Sequence, residues 1–283
     1  MIRVAFQGEA GAYGEEAIVR YFGPETAEPT AMPTFSAVCE AVASGTADAG
    51  VLPLENSLAG TVGDALDALA AGSLAVVGEV LQPIHHHLLV LPGARLADVE
   101  HVTSHWQALS QCDRFLSRHA WNLVPAADTA GAARQLASDR EPRVAVIASE
   151  RAATLYGLRI AARDIQDAAE NVTRFAVIAR SRDDLRDAPT IESTGSSPAA
   201  RETLITFETG HRPGDLVRAL TVLADAGINL SRIESRPSGD GPWRYRFLVQ
   251  VAGDAAADPL RGALVAMREH TRAMRVLGSF AAG

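Results

Sequence analysis

Five short segments of the chain bring together residue types able to do chemistry. Glu55, Asn56 and Ser57 follow the apolar run AGVLPL, and such a strand end is where open α/β sheets expose ligand-binding groups. Asn171, Val172, Thr173, Arg174 and Phe175 set a hydroxyl beside a guanidinium at the start of the strand-like RFAVIAR. That pair suits binding a carboxylate while donating a hydrogen bond to a leaving oxygen. Gly8 to Gly14, GEAGAYG, joins the strand-like RVAFQG to a helix, and backbone N–H groups at a helix start can receive a carboxylate. Ser104, His105, Trp106 and Gln107 precede the helical ALSQCDRFL, and His85, His86 and His87 form an unbroken histidine run.

Each segment also has a plainer explanation. Glycines at a strand-to-helix turn serve backbone freedom. Asn and Ser are turn residues, and Thr61 stands where it would cap the helix TVGDALDAL. Ser104 precedes Gln107 by the spacing of a helix capping box. Neighbouring side chains on a strand point to opposite faces, so the three histidines cannot chelate one ion together and no metal is expected. Asn171-Val172-Thr173 formally matches a glycosylation acceptor, which a cytosolic chain would not use. Walker loops, nucleophile elbows and zinc-protease helices are missing from the sequence. Cys39 and Cys112 have neither metal nor redox spacing and read as buried thiols.

The elements that must hold these groups alternate between strand-like and helical runs: RVAFQG, GEEAIVRYFG, SAVCEAVASG, AGVLPLE and TVGDALDALAAG. This is the rhythm of an α/β domain. A second cycle from SLAVVGEV to RVAVIAS returns through RFAVIAR, which predicts two lobes, the chain crossing near residues 80 and 175. Lobe one is expected over 1–79 and 175–180, lobe two over 80–174. Residues 181–201 mix charge, Pro, Gly and Ser and mark a linker. Residues 202–283 read strand, helix, strand, strand, helix, strand, a ferredoxin-like order.

Composition narrows the class. The 283 residues suit two or three domains. A net charge of −8, from 26 Lys+Arg against 34 Asp+Glu, with no basic stripe, argues against nucleic acid as a partner. The first residues lack a signal-peptide pattern and no long apolar run occurs, so a cytoplasmic protein without membrane partners is expected.

Taken in order, FQGEAGAYGEEA, PLENSLAGTV, SHWQALSQC, AVIASERAATLYGL, IQDAAENVTRF and GINLSRIESRP resemble the prephenate dehydratase family over nearly the whole chain. The resemblance implies a two-lobed catalytic region over 1–180, built like a type II periplasmic binding protein, followed by a C-terminal ACT regulatory domain. It also implies conversion of prephenate to phenylpyruvate without metal or redox cofactor, with phenylalanine as allosteric effector and assembly as a homodimer or homotetramer. By the same resemblance Thr173 hydrogen-bonds the departing hydroxyl, with Glu55 the second catalytic candidate. Substrate contacts are implied for Ala12, Tyr13, Asn56, Ser57, Ser104, Gln107, Asn171, Arg174 and Phe175. Effector contacts are implied for Gly214, Asp215, Leu216, Asn229, Glu234, Ser235, Arg236 and Pro237.

Three positions depart from the family pattern: Gly14 where serine is common, Trp106 where proline is common, and Asp215 where the effector loop usually reads Gly-Ala-Leu. Asp215 brings a carboxylate to a helix N-terminus. There it can be structural, repel an effector carboxylate or attract its ammonium. Two further readings remain open, an arogenate dehydratase and a non-catalytic small-molecule binder with an amino-acid-sensing tail.

Overall fold

The computed structural model describes residues 1–185, 200–239 and 241–282. Lobe one begins β1 (Ile2–Gln7), α1 (Tyr13–Phe22), β2 (Ala27–Met32), α2 (Phe35–Ser44), β3 (Ala49–Asn56), β4 (Gly60–Thr61), α3 (Gly63–Ala71) and β5 (Ala75–Pro83). Lobe two holds β6 (His87–Val90), β7 (His101–His105), α4 (Trp106–Gln111), α5 (Asp113–Leu116), β8 (Asn122–Ala126), α6 (Thr129–Asp139), β9 (Val144–Ala148), α7 (Glu150–Tyr156) and β10 (Arg159–Ala162). The chain then returns to lobe one as β11 (Val172–Ala179).

Lobe one orders its sheet β2-β1-β3-β11-β5, and lobe two β10-β6-β9-β7-β8. β1 lies parallel to β2 and β3 with Val4, Ala5 and Phe6 buried, as expected of a strand covered on both faces. Two such lobes joined by two crossings are the architecture of type II periplasmic binding proteins. The crossings fall later, and return earlier, than the sequence suggested. All of β5 and all of β11 pair within lobe one, so the chain leaves after Pro83 and is back by Val172. Of the expected linker, residues 186–199 lie outside the described residues; β12 already begins at Arg201.

Local signals decide several helix ends. The Thr34 hydroxyl accepts the Ala37 N–H at 3.1 Å to start α2, and Gly45 at φ 80° ends it. Two expected caps do not form. The Ser104 hydroxyl donates to the Ile147 carbonyl at 2.7 Å, tying β7 to β9, and His105 takes over as cap by accepting the Gln107 N–H. Thr61 points to the C-terminal domain instead, donating to Glu234, and Val62 precedes α3 without a side-chain cap.

That domain runs β12 (Arg201–Glu208), α8 (Asp215–Asp225), β13 (Leu230–Pro237), β14 (Tyr245–Ala252), α9 (Leu260–Met267) and β15 (Arg272–Ala281), with strand order β13-β14-β12-β15. This is the expected βαββαβ ferredoxin-like fold. α8 and α9 cover one sheet face, where Phe207, Leu223, Val249, Leu264 and Met267 are buried together. The opposite face docks on lobe one: Leu204, Leu248, Leu277 and Phe280 share a core with Leu66, Leu69 and Val76. At Gly278 a Cβ would collide with the Val76 carbonyl, so the approach of β15 to β5 requires glycine there. Arg275 donates to the carbonyls of Leu69, Ala70 and Gly72, a cation placed on the C-terminal end of α3.

Candidate active site

β3 and β11 run antiparallel at the centre of lobe one, Asn56 opposite Thr173 and Glu55 opposite Arg174. Side chains alternate across a strand, so each motif is divided between two faces. Asn56, Thr173 and Phe175 line a cleft of about 700 Å³ between the lobes. Glu55 and Arg174 turn to the face covered by the C-terminal domain. There the Glu55 carboxylate is 3.5 Å from Arg232 Nε, and Arg174 Nη1 is 3.5 Å from Glu79. The structure thus parts both from Thr173, and neither lines the cleft; the carboxylate-binding role considered for Arg174 and the substrate-side role considered for Glu55 lose their geometry.

The floor of the cleft is a chain of side-chain amides whose polarity can be read from one end. Asn56 Oδ1 accepts the backbone N–H groups of Leu58 and Ala59 at 3.1 and 2.9 Å. Backbone N–H can only donate, so the other Asn56 terminus must be its NH2. That group donates to Thr173 Oγ1 at 3.0 Å and to Asn171 Oδ1 at 2.7 Å. Asn171 Nδ2 then donates to Gln111 Oε1 at 2.9 Å. Thr173 is buried and uses its oxygen as acceptor; among the described residues its own proton meets no acceptor. The Thr173 O–H is therefore free to donate to a ligand in the cleft.

Other expected residues fall into separate groups. Ala12, Tyr13 and Gln107 line the cleft. Asn171 is buried just behind the lining, within the amide chain. Ser57 accepts the Val172 N–H at 3.0 Å and pins the start of β11 rather than lining the cleft. Ser104 is wholly buried in lobe two. His86 and Gln111 line the cleft and were not anticipated. Gln111 follows Gln107 by four residues, the spacing that puts both on one helix face, which is the signal that would have found it.

Electrostatics here are unusual for an anion site. Among the described lining residues none is an arginine, and the chain contains no lysine. Positive potential comes instead from helix starts: Tyr13 and Gly14 of α1, Phe35 and Ser36 of α2 and Thr129 of α6 all line the cleft. Asp64 and Asp128 lie on the wall, Asp128 already accepting the Gly131 N–H at 2.6 Å as the cap of α6. Burial pushes the His86 imidazole down to about 4 against an opposing bond to Gln111, so it is neutral at physiological pH.

In the C-terminal domain the expected effector residues divide as well. Gly214 takes φ 84° at the start of α8. The Asp215 carboxylate accepts the Arg212 N–H at 2.9 Å and pairs with Arg218, contacts that hold its pKa down. Its charge is thus matched within its own helix turn. Leu216 packs on the domain core, whereas Asn229, Ser235 and Pro237 are exposed. Glu234 and Arg236 face lobe one, Arg236 Nε donating to Asp67 Oδ1 at 3.0 Å.

A two-lobed cleft with a hydroxyl donor on its floor, backed by a ferredoxin-like domain docked on the same sheet, defines a small-molecule enzyme region with an attached sensing domain. Sequence families agree: the prephenate dehydratase model matches residues 4–183 and the ACT domain model residues 191–268. The chain belongs to the prephenate dehydratase family. It is 38% identical to an arogenate dehydratase/prephenate dehydratase of Arabidopsis thaliana, over 99% of this chain and 72% of that one. The prephenate dehydratase of Arthrobacter aurescens, solved with L-Phe, superposes with a TM-score of 0.88 at 32% identity, covering 99% of this chain and 90% of that one. A protein described as a quorum quenching acylase, GqqA, gives a TM-score of 0.86 at 33% identity, with 99% and 98% covered.

Proposed function

We propose that this chain is a prephenate dehydratase, a carbon–oxygen lyase that converts prephenate to phenylpyruvate, carbon dioxide and water. The observation that carries the reading is Thr173: its side chain lines the cleft and its oxygen accepts from Asn56, which leaves its proton for a ligand there. As the ring carboxylate leaves as carbon dioxide, its bonding pair enters the ring and the hydroxyl across the ring departs with its own pair. Thr173 donates a hydrogen bond to that oxygen as negative charge grows on it, a preorganised contact strongest in the transition state. A threonine hydroxyl is too weak an acid to give up its proton, so solvent completes the water molecule. The two carboxylates of prephenate are received by helix N-termini, which stabilise an anion without pairing it as an arginine would. Incubating the purified chain with prephenate and following phenylpyruvate tests this; no turnover over a range of pH rejects it.

Arogenate is the second substrate to try, because it carries an ammonium where prephenate carries a keto oxygen. Asp64 and Asp128 on a wall without cations suit such a group. The ratio of kcat/KM for the two substrates decides.

The C-terminal domain is read as a phenylalanine sensor acting by feedback. Its Asp215 is matched by Arg218, so it need not repel the effector carboxylate. Exposed Val217, Ile233 and Val265 on this domain suit pairing of subunits, in keeping with a homodimer or homotetramer, which sedimentation would measure. A cytoplasmic location completes the reading, and cell fractionation tests it. No helix among the described residues is long and apolar enough to cross a membrane.

A further inference from the structure

His86 lies between β5 and β6, on the first crossing between lobes, and is 3% exposed. Its Nε2 is 3.0 Å from Gln111 Oε1, the oxygen that also accepts from Asn171. Its Nδ1 is 2.9 Å from the hydroxyl of Tyr13, which belongs to lobe one and also reaches the His85 carbonyl at 2.7 Å. Reading the amide polarity onward from Asn56, Gln111 presents an oxygen to His86, so Nε2 must carry the hydrogen. In the neutral ring Nδ1 is then a lone pair, which shares the single Tyr13 proton with the nearer His85 carbonyl.

We infer that His86 is a positioning residue for the proposed elimination: as its Nε2–H tautomer it fixes Gln111, and through Asn171 and Asn56 it aims the Thr173 hydroxyl. This rests on the reading of Thr173 given above. His86 Nε2–H donates to Gln111 Oε1 from one side, and from the other Asn171, itself held by the Asn56 NH2, donates to the same oxygen. Gln111 Oε1 is thus the point where two donors converge, the His86 ring and a chain of amides anchored by the backbone of Leu58 and Ala59. Without the His86 donor, Gln111 is held only by the Asn171 N–H on its oxygen and by a long 3.5 Å contact from its NH2 to Asn56 Oδ1, and an amide that turns over presents NH2 to the Asn171 NH2. Relief of that clash requires Asn171 to flip, which would oppose its NH2 to the Asn56 donor that holds Thr173. Tyr13 and Thr173 stand on lobe one, Gln111 on lobe two, and His86 and Asn171 on the two crossings, so the chain also registers how the lobes sit on each other.

Two variants separate this role from simple packing. His86→Gln retains an N–H donor near the Nε2 position but loses the ring; His86→Phe retains ring volume but loses both nitrogens. Positioning predicts that His86→Gln keeps kcat within a few-fold of the parent, while His86→Phe loses on the order of 10- to 100-fold in kcat with KM changed little. If packing alone matters the order reverses, with His86→Phe the better enzyme and the more stable, and the inference is overturned. Nitrogen-15 NMR of the folded parent at neutral pH gives a readout independent of turnover. An Nε2–H resonance for His86 supports the tautomer, whereas an Nδ1–H tautomer or a charged ring overturns it. A parent that fails to turn over prephenate would sink the proposed function while leaving the NMR result to judge the hydrogen-bond chain.

Discussion

Asn56 Nδ2 donates to Thr173 Oγ1 at 3.0 Å across 117 residues of sequence, and the proposed chemistry turns on the direction of that bond. An amide donor on the threonine oxygen leaves the threonine proton for the ligand. Thr173→Val, which keeps the shape and removes the donor, should lower kcat for prephenate by on the order of 100-fold with KM within a few-fold. Thr173→Ser should recover most of the loss. Steady-state kinetics on both variants checks it.

The same bond can be reversed. In Asn56→Asp the side chain only accepts, so the Thr173 proton turns toward the new carboxylate and away from the cleft. The expected result is a kcat as low as that of Thr173→Val, although the threonine is untouched. Turnover near that of the parent would show that the threonine proton is not the donor.

Buried, neutral His86 ties stability to pH. Its folded pKa is about 4 and its ordinary value 6.5. Between these values the unfolded chain binds a proton that the folded chain does not, so stability is fully present above pH 6.5 and falls as the pH drops toward 4. This one group contributes a loss of roughly 3 kcal/mol across that window. Urea titrations at pH 7.5 and pH 5 should show a smaller acid loss for His86→Gln than for the parent.

Docking of the C-terminal domain can be disturbed at one atom. Gly278→Ala drives a Cβ into the Val76 carbonyl, which belongs to backbone and cannot swing aside. A loss of about 2 kcal/mol or more and a lower Tm are expected, together with a weaker response to phenylalanine. Thermal unfolding and inhibition curves test both.

Arg232 offers a gentler test of the same interface. It is buried and donates to the Leu54 carbonyl at 3.0 Å, while its Nε and Nη1 have no hydrogen-bond partner among the described residues. Burial accordingly lowers its pKa, against the pull of Glu55 and Glu234. Such a half-satisfied ion contributes little net stability. Arg232→Met should leave stability within about 1 kcal/mol of the parent and blunt inhibition by phenylalanine, measured by urea titration and by inhibition curves.

Much of this architecture was legible in the sequence. The βαββαβ order of the last domain and the two lobes could be placed from strand periodicity, and the Asn56, Thr173 and Phe175 lining positions from the resemblance of their motifs to the prephenate dehydratase family. What escaped depends on long-range pairing. The register of β3 on β11 puts Glu55 and Arg174 behind the sheet, and nothing local in either motif fixes that register. The histidine run hides the place of His86 in the cleft, because a strand pattern shows alternation without showing which face meets a cavity. The lobe crossings fall elsewhere than expected because β5 and β11 stay paired to their ends, a cooperative effect that composition does not record. Ser104 has the right spacing for a cap, yet a carbonyl on β9 outcompetes the helix for its hydroxyl.

Because neighbouring residues at the paired ends of β3 and β11 face the cleft and the C-terminal domain in turn, Asn56 and Thr173 to one side and Glu55 and Arg174 to the other, the proposed separation of chemistry from control rests on strand parity there. A slip of one residue in either strand would exchange the two roles, presenting Glu55 or Arg174 to the substrate and Asn56 or Thr173 to the regulator. Insertions within these strands should therefore be far less tolerated than substitutions. Variants that lose feedback while keeping turnover should be sought at the immediate sequence neighbours of the residues on the cleft floor, one peptide unit away from the reaction.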